Sequence, residues 1–159
     1  MTIAIADLNF DDADQIQQFM AVLAAYSQED GAGNQSIEDS AQRDLPQKLR
    51  EHPTCVVIVA IIDNQTVGVA VCFGGFSTFK AKPVLNVHDL AVLPSHRGKG
   101  VGTALLDAAT ERARELGCCK LTLEVIQSNT RAHQLYNRKG FVDPTNEGPS
   151  LFLEKPLND

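Results

Sequence analysis

The 159-residue chain has no tryptophan, and aromatic residues make up only 6% of it. Hydrophobic residues still reach 43%, the share of an ordinary soluble globular protein. No apolar run approaches the roughly 18 residues of a membrane-spanning helix; the longest runs from Cys55 to Ile62. The lack of a long apolar run excludes a membrane-embedded class. The length predicts a single domain over residues 1–159.

Positive charge is also scarce. The chain has 14 Lys and Arg residues and 20 Asp and Glu residues, which gives a net charge of −6. This balance argues against nucleic-acid binding, which usually needs a basic face, and it suits a cationic ligand. The four cysteines (Cys55, Cys72, Cys118 and Cys119) lack the spacing of a metal site, so we expect reduced structural thiols and no metal, with a reactive thiol at Cys118 or Cys119 as the alternative. The first residues show no basic region before a long apolar stretch, which favours a cytoplasmic location.

Hydrophobic periodicity predicts an alternating order of strands and helices. We expect strands at 2–8, 55–62, 66–73, 84–93 and 119–126, short strands at 141–142 and 151–153, and helices at 11–28, 37–51, 101–116 and from Ser128 to about Arg138. Pro46 favours a split or kink in the second helix, and Glu29–Gln35 and Gly74–Lys80 are predicted loops. This order mixes hairpins with one strand–helix–strand unit. It indicates an α/β (α+β) fold with a mixed sheet covered by helices.

The most informative segment is Arg97-Gly98-Lys99-Gly100-Val101-Gly102, between a predicted strand and a predicted helix. Its glycines allow the backbone to turn sharply and to approach a ligand closely. Amide groups at the start of a helix lack intrahelical partners and attract anions, above all phosphate. Arg97 and Lys99 add positive charge. The segment predicts a pyrophosphate site.

Two other glycine-rich motifs do not match. The dinucleotide-binding fingerprint needs a third glycine where Thr103 stands, and an acidic residue near Lys120. The P-loop needs Gly-Lys-Ser/Thr after four intervening residues, and this pattern is absent. A glycine turn that only joins strand to helix is the simpler alternative.

The Arg97–Gly102 run resembles the Arg/Gln-x-x-Gly-x-Gly/Ala signature of the GNAT N-acetyltransferase superfamily, and Leu90-Ala91-Val92-Leu93-Pro94 before it resembles the family's strand end. Downstream, Asn129 to Phe141 resembles the second signature of that family, and the resemblance is good over residues 55–142. It implies the GNAT fold, with a mostly antiparallel sheet of six to seven strands and about four helices. It also implies acetyl-CoA as the acetyl donor, an amine as the acceptor, and a homodimer.

The resemblance assigns most of the donor site. Backbone amides around Ala91 and Val92 would bind the pantetheine arm and polarise the thioester carbonyl. Asn129 would bind the same arm, although it also fits a helix cap. The expected donor-binding residues are Leu90, Ala91, Val92, Arg97, Gly98, Lys99, Gly100, Val101, Gly102, Thr103, Asn129, Ala132 and Tyr136.

The resemblance also gives candidates for proton transfer. Tyr136 would act as the general acid near the sulfur, although its helical spacing also fits a core position. The strand before the loop has no glutamate where family members often carry the base. His88 is the first substitute, because imidazole has an unperturbed pKa of about 6.5. Alternatives are Glu124, a water relay, or a purely structural His88. Asp89 should lie on the opposite face of the strand, where it would bind the acceptor ammonium or a neighbouring backbone group.

The acceptor is the least determined part. Phe76 and Phe79 are expected to stack on it or to pack their loop, and Asp89 and Glu124 complete the expected substrate residues. The stretch from Cys72 to Asp89 faintly resembles the diamine and thialysine acetyltransferases, which carry Glu-Asp where this chain has His88-Asp89. A peptide N-terminus, a lysine side chain, an aminoglycoside and an amino acid stay open as acceptors. A CoA-binding sensor without turnover and a dimerisation module are the competing classes.

Overall fold

A computed structural model of the protein describes residues 1–29, 36–145 and 153–155. Five strands and four α-helices occur in these residues. The strands are β1 (Ala4–Asp7), β2 (Cys55–Ile62), β3 (Gln65–Ser77), β4 (Lys82–Val92) and β5 (Leu121–Leu123). The helices are α1 (Ala13–Ser27), α2 (Asp39–Glu51), α3 (Val101–Glu115) and α4 (Thr130–Arg138), and a single 3-10 turn covers Pro94–His96.

The strands form one sheet in the order β1-β2-β3-β4-β5. Neighbours are antiparallel, except that β5 runs parallel to β4. The turn between β2 and β3 consists of Asp63 and Asn64, with φ of 50° and 62°, and this left-handed pair suits the twist of a tight hairpin. The expected mixed, mostly antiparallel α/β fold is confirmed.

Each face of the sheet has its own hydrophobic core. The helix α1 buries Phe19, Val22 and Leu23 on one face, and α3 buries Leu105 and Leu106 on the other. Close contact between α3 and the sheet depends on Gly68 of β3, because a Cβ atom there would lie 2.8 Å from Val101 Cγ1 and 3.1 Å from Leu105 Cδ1. The start of α3 is thereby held against the sheet next to the end of β4.

Two strands, β3 and β5, differ in length from their predictions. The predicted loop at Gly74–Lys80 is wrong over its first four residues, because β3 continues to Ser77 and Gly74 pairs with Leu85 of β4. Cross-strand pairing outweighs the low strand propensity of glycine here. The strand predicted at 119–126 is only Leu121–Leu123, since β5 pairs with just three residues of β4.

The predicted strand at Phe141-Val142 is wrong, and the Phe141 N–H instead donates to the Tyr136 carbonyl at 3.0 Å in the cap of α4. Pro46 lies inside α2 without splitting it. Of the predicted strand 151–153 only Leu153 is described, and it is not in a strand; most of the predicted loop 29–35 also falls outside the described residues. The described part of the sheet therefore has five strands where six to seven were expected.

Candidate active site

The strands β4 and β5 separate in the middle of the sheet. Their parallel pairing joins Leu85–Val87 to Leu121–Leu123, and within the described residues it ends there. Beyond Val87, β4 continues to Val92 beside β3 alone. In the described structure, the edge of β4 that faces away from β3 is thus unpaired from His88 to Val92, next to the start of α3.

A β-bulge lies where the strands separate. Cys72 pairs with Val87 and Val71 with Asp89, so His88 is the extra residue. The bulge changes the alternation of β4: Val87 faces the α3 core, whereas Asp89 is opposite Val71 of the α1 core. The His88 ring lies edge-on to Phe73, which also packs on the α1 core, with centroids 5.5 Å apart. The expectation that His88 and Asp89 occupy opposite faces is wrong, because the bulge directs both toward the α1 side.

The predicted phosphate loop has the backbone form that such a site needs. Gly98 and Gly100 have φ of 74° and 87°, a region that residues with a Cβ rarely adopt. Gly98, Lys99 and Gly100 are exposed, and the Gly100 carbonyl accepts the first helical bond, from the Ala104 N–H at 3.0 Å. The amides of Val101, Gly102 and Thr103 therefore belong to the unpaired first turn of α3. A diphosphate fits this exposed helix start.

Arg97 is positioned differently from the other loop residues. Its Nε donates to the Val92 carbonyl at 2.9 Å, and Nη2 forms an ion pair with Glu29 just after α1. Both side chains of the pair are about 30% exposed (28% and 31%). The guanidinium thus joins the end of β4, the loop and the end of α1.

The open edge of β4 presents only some of the amides predicted to bind the donor. The Leu93 N–H donates to the Val67 carbonyl of the β3 side at 2.9 Å. Because amide directions alternate along a strand, the Ala91 amide also points toward β3, and those of Leu90 and Val92 point to the open edge. We predicted that the amides around Ala91 and Val92 bind the pantetheine arm. The Ala91 amide is not available for this, so the amides that the open edge presents are those of Leu90 and Val92.

Asn129 caps α4, the alternative that the sequence left open. Its Oδ1 accepts a hydrogen bond from the Ala132 N–H at 3.1 Å. The side-chain NH₂ of Asn129 is the group left to meet an acceptor atom of a ligand, since its oxygen serves the cap. The Ala132 amide is occupied by the cap, so it is not available to donate to a ligand.

Tyr136 is fixed by the end of α4. The N–H groups of Gly140 and Phe141 donate to the carbonyls of Asn137 and Tyr136, at 3.1 and 3.0 Å, in a Schellman pattern with Gly140 at φ 84°. The rings of Tyr136 and Phe141 pack with centroids 5.8 Å apart. Burial, followed by the nearby Tyr26, raises the pKa of Tyr136 to about 12. Its phenol is therefore protonated at neutral pH and is able to donate a hydrogen bond.

Tyr26 and Glu29 were missed by the sequence interpretation. Burial raises the pKa of Tyr26, and the charges of Asp89 and Glu29 raise it further. Tyr26 in turn raises the pKa of Tyr136. Burial also raises the pKa of Asp89, and His88 opposes this effect. The end of α1 thus places Tyr26 within electrostatic reach of Glu29, of Asp89 in the bulge of β4 and of Tyr136 in α4. Tyr26 lies in a helix pattern that also fits a core position, so no local signal marked it.

The other predicted substrate residues lie elsewhere. Phe76 and Phe79 are 65% and 101% exposed near the β3–β4 hairpin end, beside a cavity of about 430 Å³ that Lys120 and Thr122 also line. Phe76 pairs with Pro83, six positions before Asp89 and so about 20 Å away along an extended strand. Glu124 is exposed just after β5. The structure brings neither phenylalanine to the bulge.

Potential metal ligands do not cluster in the part of the chain that is described. Its His, Cys, Asp and Glu residues form no group of three or more that could hold a metal ion. All four cysteines are free thiols, and burial raises the pKa of Cys72 to about 12, which makes that thiol unreactive. Among the described helices, none is long and apolar enough to cross a membrane.

Comparison with known proteins decides the family. The sequence profile of the acetyltransferase (GNAT) family matches residues 19–141, which include the loop, the bulge and Tyr136. The chain belongs to the GNAT family. The predicted resemblance is confirmed, and with it the class of acyltransferase enzymes to which GNAT members belong.

Individual GNAT relatives agree with this assignment. An uncharacterized N-acetyltransferase of Archaeoglobus fulgidus is 38% identical over 58% of this chain and 63% of its own length. A thialysine N-epsilon-acetyltransferase of Bos taurus is 34% identical over 50% of this chain and 46% of its own length. The chain thus spans about half to two thirds of these relatives.

A solved structure supports the fold. AAC(6')-Iy, in complex with the bisubstrate analogue CoA-S-monomethyl-acetylneamine, superposes with a TM-score of 0.77. The match covers 99% of this chain and 100% of that one, at 18% identity. At this identity the similarity shows the shared fold alone.

Proposed function

We propose that the protein transfers an acetyl group from acetyl-CoA to a primary amine of a small molecule, by direct attack in a ternary complex. The observation that carries the proposal is the meeting of the α3 start, the open edge of β4 and Tyr136 where β4 and β5 separate. Membership of the GNAT family and the CoA-based ligand bound by AAC(6')-Iy support the choice of donor.

The donor would be bound mainly by backbone. The amides at the start of α3 and the loop Gly98–Gly100 would hold the diphosphate, with Lys99 adding charge and Val101, Gly102 and Thr103 forming the first turn. The Leu90 and Val92 amides would meet the pantetheine arm, and the Asn129 NH₂ would add a further bond. The donor supplies a thioester, whose carbonyl carbon accepts the amine and whose sulfur leaves.

Chemistry at the thioester requires stabilisation of two charges. An amide at the bulge end of the open edge would donate to the carbonyl oxygen as it becomes negative. Tyr136 would donate a hydrogen bond to the departing thiolate. With a pKa of about 12 against about 8.5 for an ordinary thiol, Tyr136 is suited to stabilise the thiolate more than to transfer its proton fully.

The acceptor amine would approach from the α1 side. Asp89 and Tyr26 lie there, and a carboxylate is suited to hold an ammonium and to receive its proton directly or through water. His88, the first candidate for the base in the sequence, lies on the same side and stays a prediction. The thialysine-acetylating relative supports a cationic aliphatic amine as the first class to test. Homodimer formation, a cytoplasmic location and the single-domain organisation also stay predictions.

The test is release of CoA thiol from acetyl-CoA with a panel of diamines, amino acids, aminoglycosides and peptides. We expect turnover with at least one cationic small amine. In Tyr136→Phe, kcat should fall about ten- to hundredfold, the value of one hydrogen bond to a charged group, with CoA affinity unchanged. Unchanged kcat in this variant would remove Tyr136 from the chemistry.

Two alternatives have distinct outcomes in the same assay. CoA binding without turnover on any amine would favour a sensor domain. Turnover on peptides alone would favour a peptide or protein N-acetyltransferase. No CoA affinity would leave only a structural, dimerisation role.

A further inference from the structure

Glu29 lies where a carboxylate is unfavourable unless a cation pairs with it. It follows the last turn of α1, and its N–H donates to the Tyr26 carbonyl at 3.0 Å. The C-terminal end of a helix carries a partial negative charge, and the last turn of α1 contains no basic residue. The position therefore attracts a cation from elsewhere in the chain.

Arg97 provides that cation from the phosphate loop, 68 positions away in sequence. Its guanidinium has five N–H donors in a fixed planar arrangement. Nε is used by the Val92 carbonyl, which holds the side chain at the end of β4, and Nη2 is used by Glu29. A diphosphate at the start of α3 would attract the same guanidinium for a charge-assisted contact.

We propose that Glu29 is a positioning residue that competes with the donor's phosphate groups for Arg97 and so lowers the affinity of the protein for CoA. The inference rests on the donor half of the proposed function and not on turnover. When phosphate draws the Arg97 guanidinium toward the start of α3, the Glu29 carboxylate is released beside Tyr26, on the acceptor side of the sheet.

The competition fixes the sign of the effect. Glu29→Gln removes both the rival partner of Arg97 and a negative charge close to the phosphate site, so CoA should bind more tightly. If Glu29 only supported the loop, the same change would loosen the loop and weaken binding. A partly exposed ion pair contributes at most about 1 kcal/mol, so we expect a gain of about two- to fivefold in affinity.

The experiment measures the dissociation constants of CoA and dephospho-CoA by calorimetry on the whole protein. Variants are Glu29→Gln, Arg97→Gln and the double variant, with Glu38→Gln as the matched control. Glu38 undergoes the same change of charge and makes no side-chain bond at the start of α2. We expect tighter binding in Glu29→Gln than in Glu38→Gln, and no such gain when Arg97 is already Gln.

Dephospho-CoA keeps the diphosphate and lacks the ribose phosphate, so a gain with both ligands assigns the competition to the diphosphate, and a gain with CoA alone assigns it to the ribose phosphate. Weaker or unchanged binding in Glu29→Gln would overturn the inference, as would an equal gain without Arg97. Should Arg97→Gln fail to fold, Glu29→Gln against Glu38→Gln still decides by sign. Absence of turnover on every amine would reject the proposed function but leave this result intact.

Discussion

Gly100 offers the sharpest test of the phosphate loop, because a second glycine provides its control. Gly100 precedes α3 with φ of 87°, and Gly117 follows the same helix with φ of 70°. A Cβ at Gly100 would be 4.0 Å from Ile3 Cδ1, and at Gly117 it would meet nothing within 4 Å. Alanine at either position is therefore destabilising only because its backbone must adopt a positive φ, and it creates no steric clash.

The expected loss of stability is similar for the two variants. The left-handed region costs a residue with a Cβ about 1–2 kcal/mol. For a domain of this length, 1 kcal/mol lowers Tm by about 2–4 °C, so both Gly100→Ala and Gly117→Ala should melt about 2–8 °C below the wild type. Thermal unfolding followed by circular dichroism measures this shift.

CoA affinity should separate the variants. In Gly100→Ala the new methyl group, or a shift of the loop that relieves it, displaces the phosphate from the amides at the start of α3. The loss of one charge-assisted hydrogen bond costs about 1.5–3 kcal/mol, or roughly ten- to a hundredfold in the dissociation constant. Gly117→Ala should bind CoA like the wild type. Equal affinity of the two alanine variants for CoA would refute a backbone cradle at Arg97–Gly102.

The remaining predictions concern the bulge. Asp89→Asn should raise Tm at pH 7 and raise KM for the amine, because burial raises the pKa of this carboxyl and its ionised form is therefore costly. With a raised pKa, the penalty is present above that pKa and disappears as pH falls below the ordinary value of 3.8, so the Tm difference should shrink in acid; a lower Tm at pH 7 would contradict this. His88→Ala should lower kcat/KM for the amine if His88 is the base, and an unchanged kcat/KM would transfer the base role to Asp89 or water.

The backbone of the proposed donor half was predictable because it is local in sequence. A strand end, a glycine loop and a helix start follow one another within Leu90–Thr103, and each has a composition that restricts its backbone. The cap of α4 is equally local, from Asn129 to Phe141. What the sequence could not supply there was the direction of individual groups: the Leu93–Val67 bond assigns the Ala91 amide to β3, and the cap uses the Ala132 amide.

The acceptor half was predicted less well because it depends on one irregularity and on distant contacts. Strict alternation placed His88 and Asp89 on opposite faces, and a single extra residue in β4 reversed this. Phe76 and Phe79 were attractive as exposed aromatics, but the register of β3 with β4 extends the hairpin away from the bulge. No periodicity in the sequence reports such a register.

The position of α1 has a further consequence for how the two halves act together. Tyr26 and Glu29 meet the site only because Phe19, Val22 and Leu23 anchor α1 on the same face as Asp89. Glu29 then contacts Arg97 of the donor loop, while Tyr26 is affected by the charge of Asp89. Any donor phosphate that draws Arg97 away leaves two unneutralised carboxylates near one phenol. A cationic amine is the species that this arrangement would then favour, so donor binding should strengthen acceptor binding, and by linkage the reverse should hold equally.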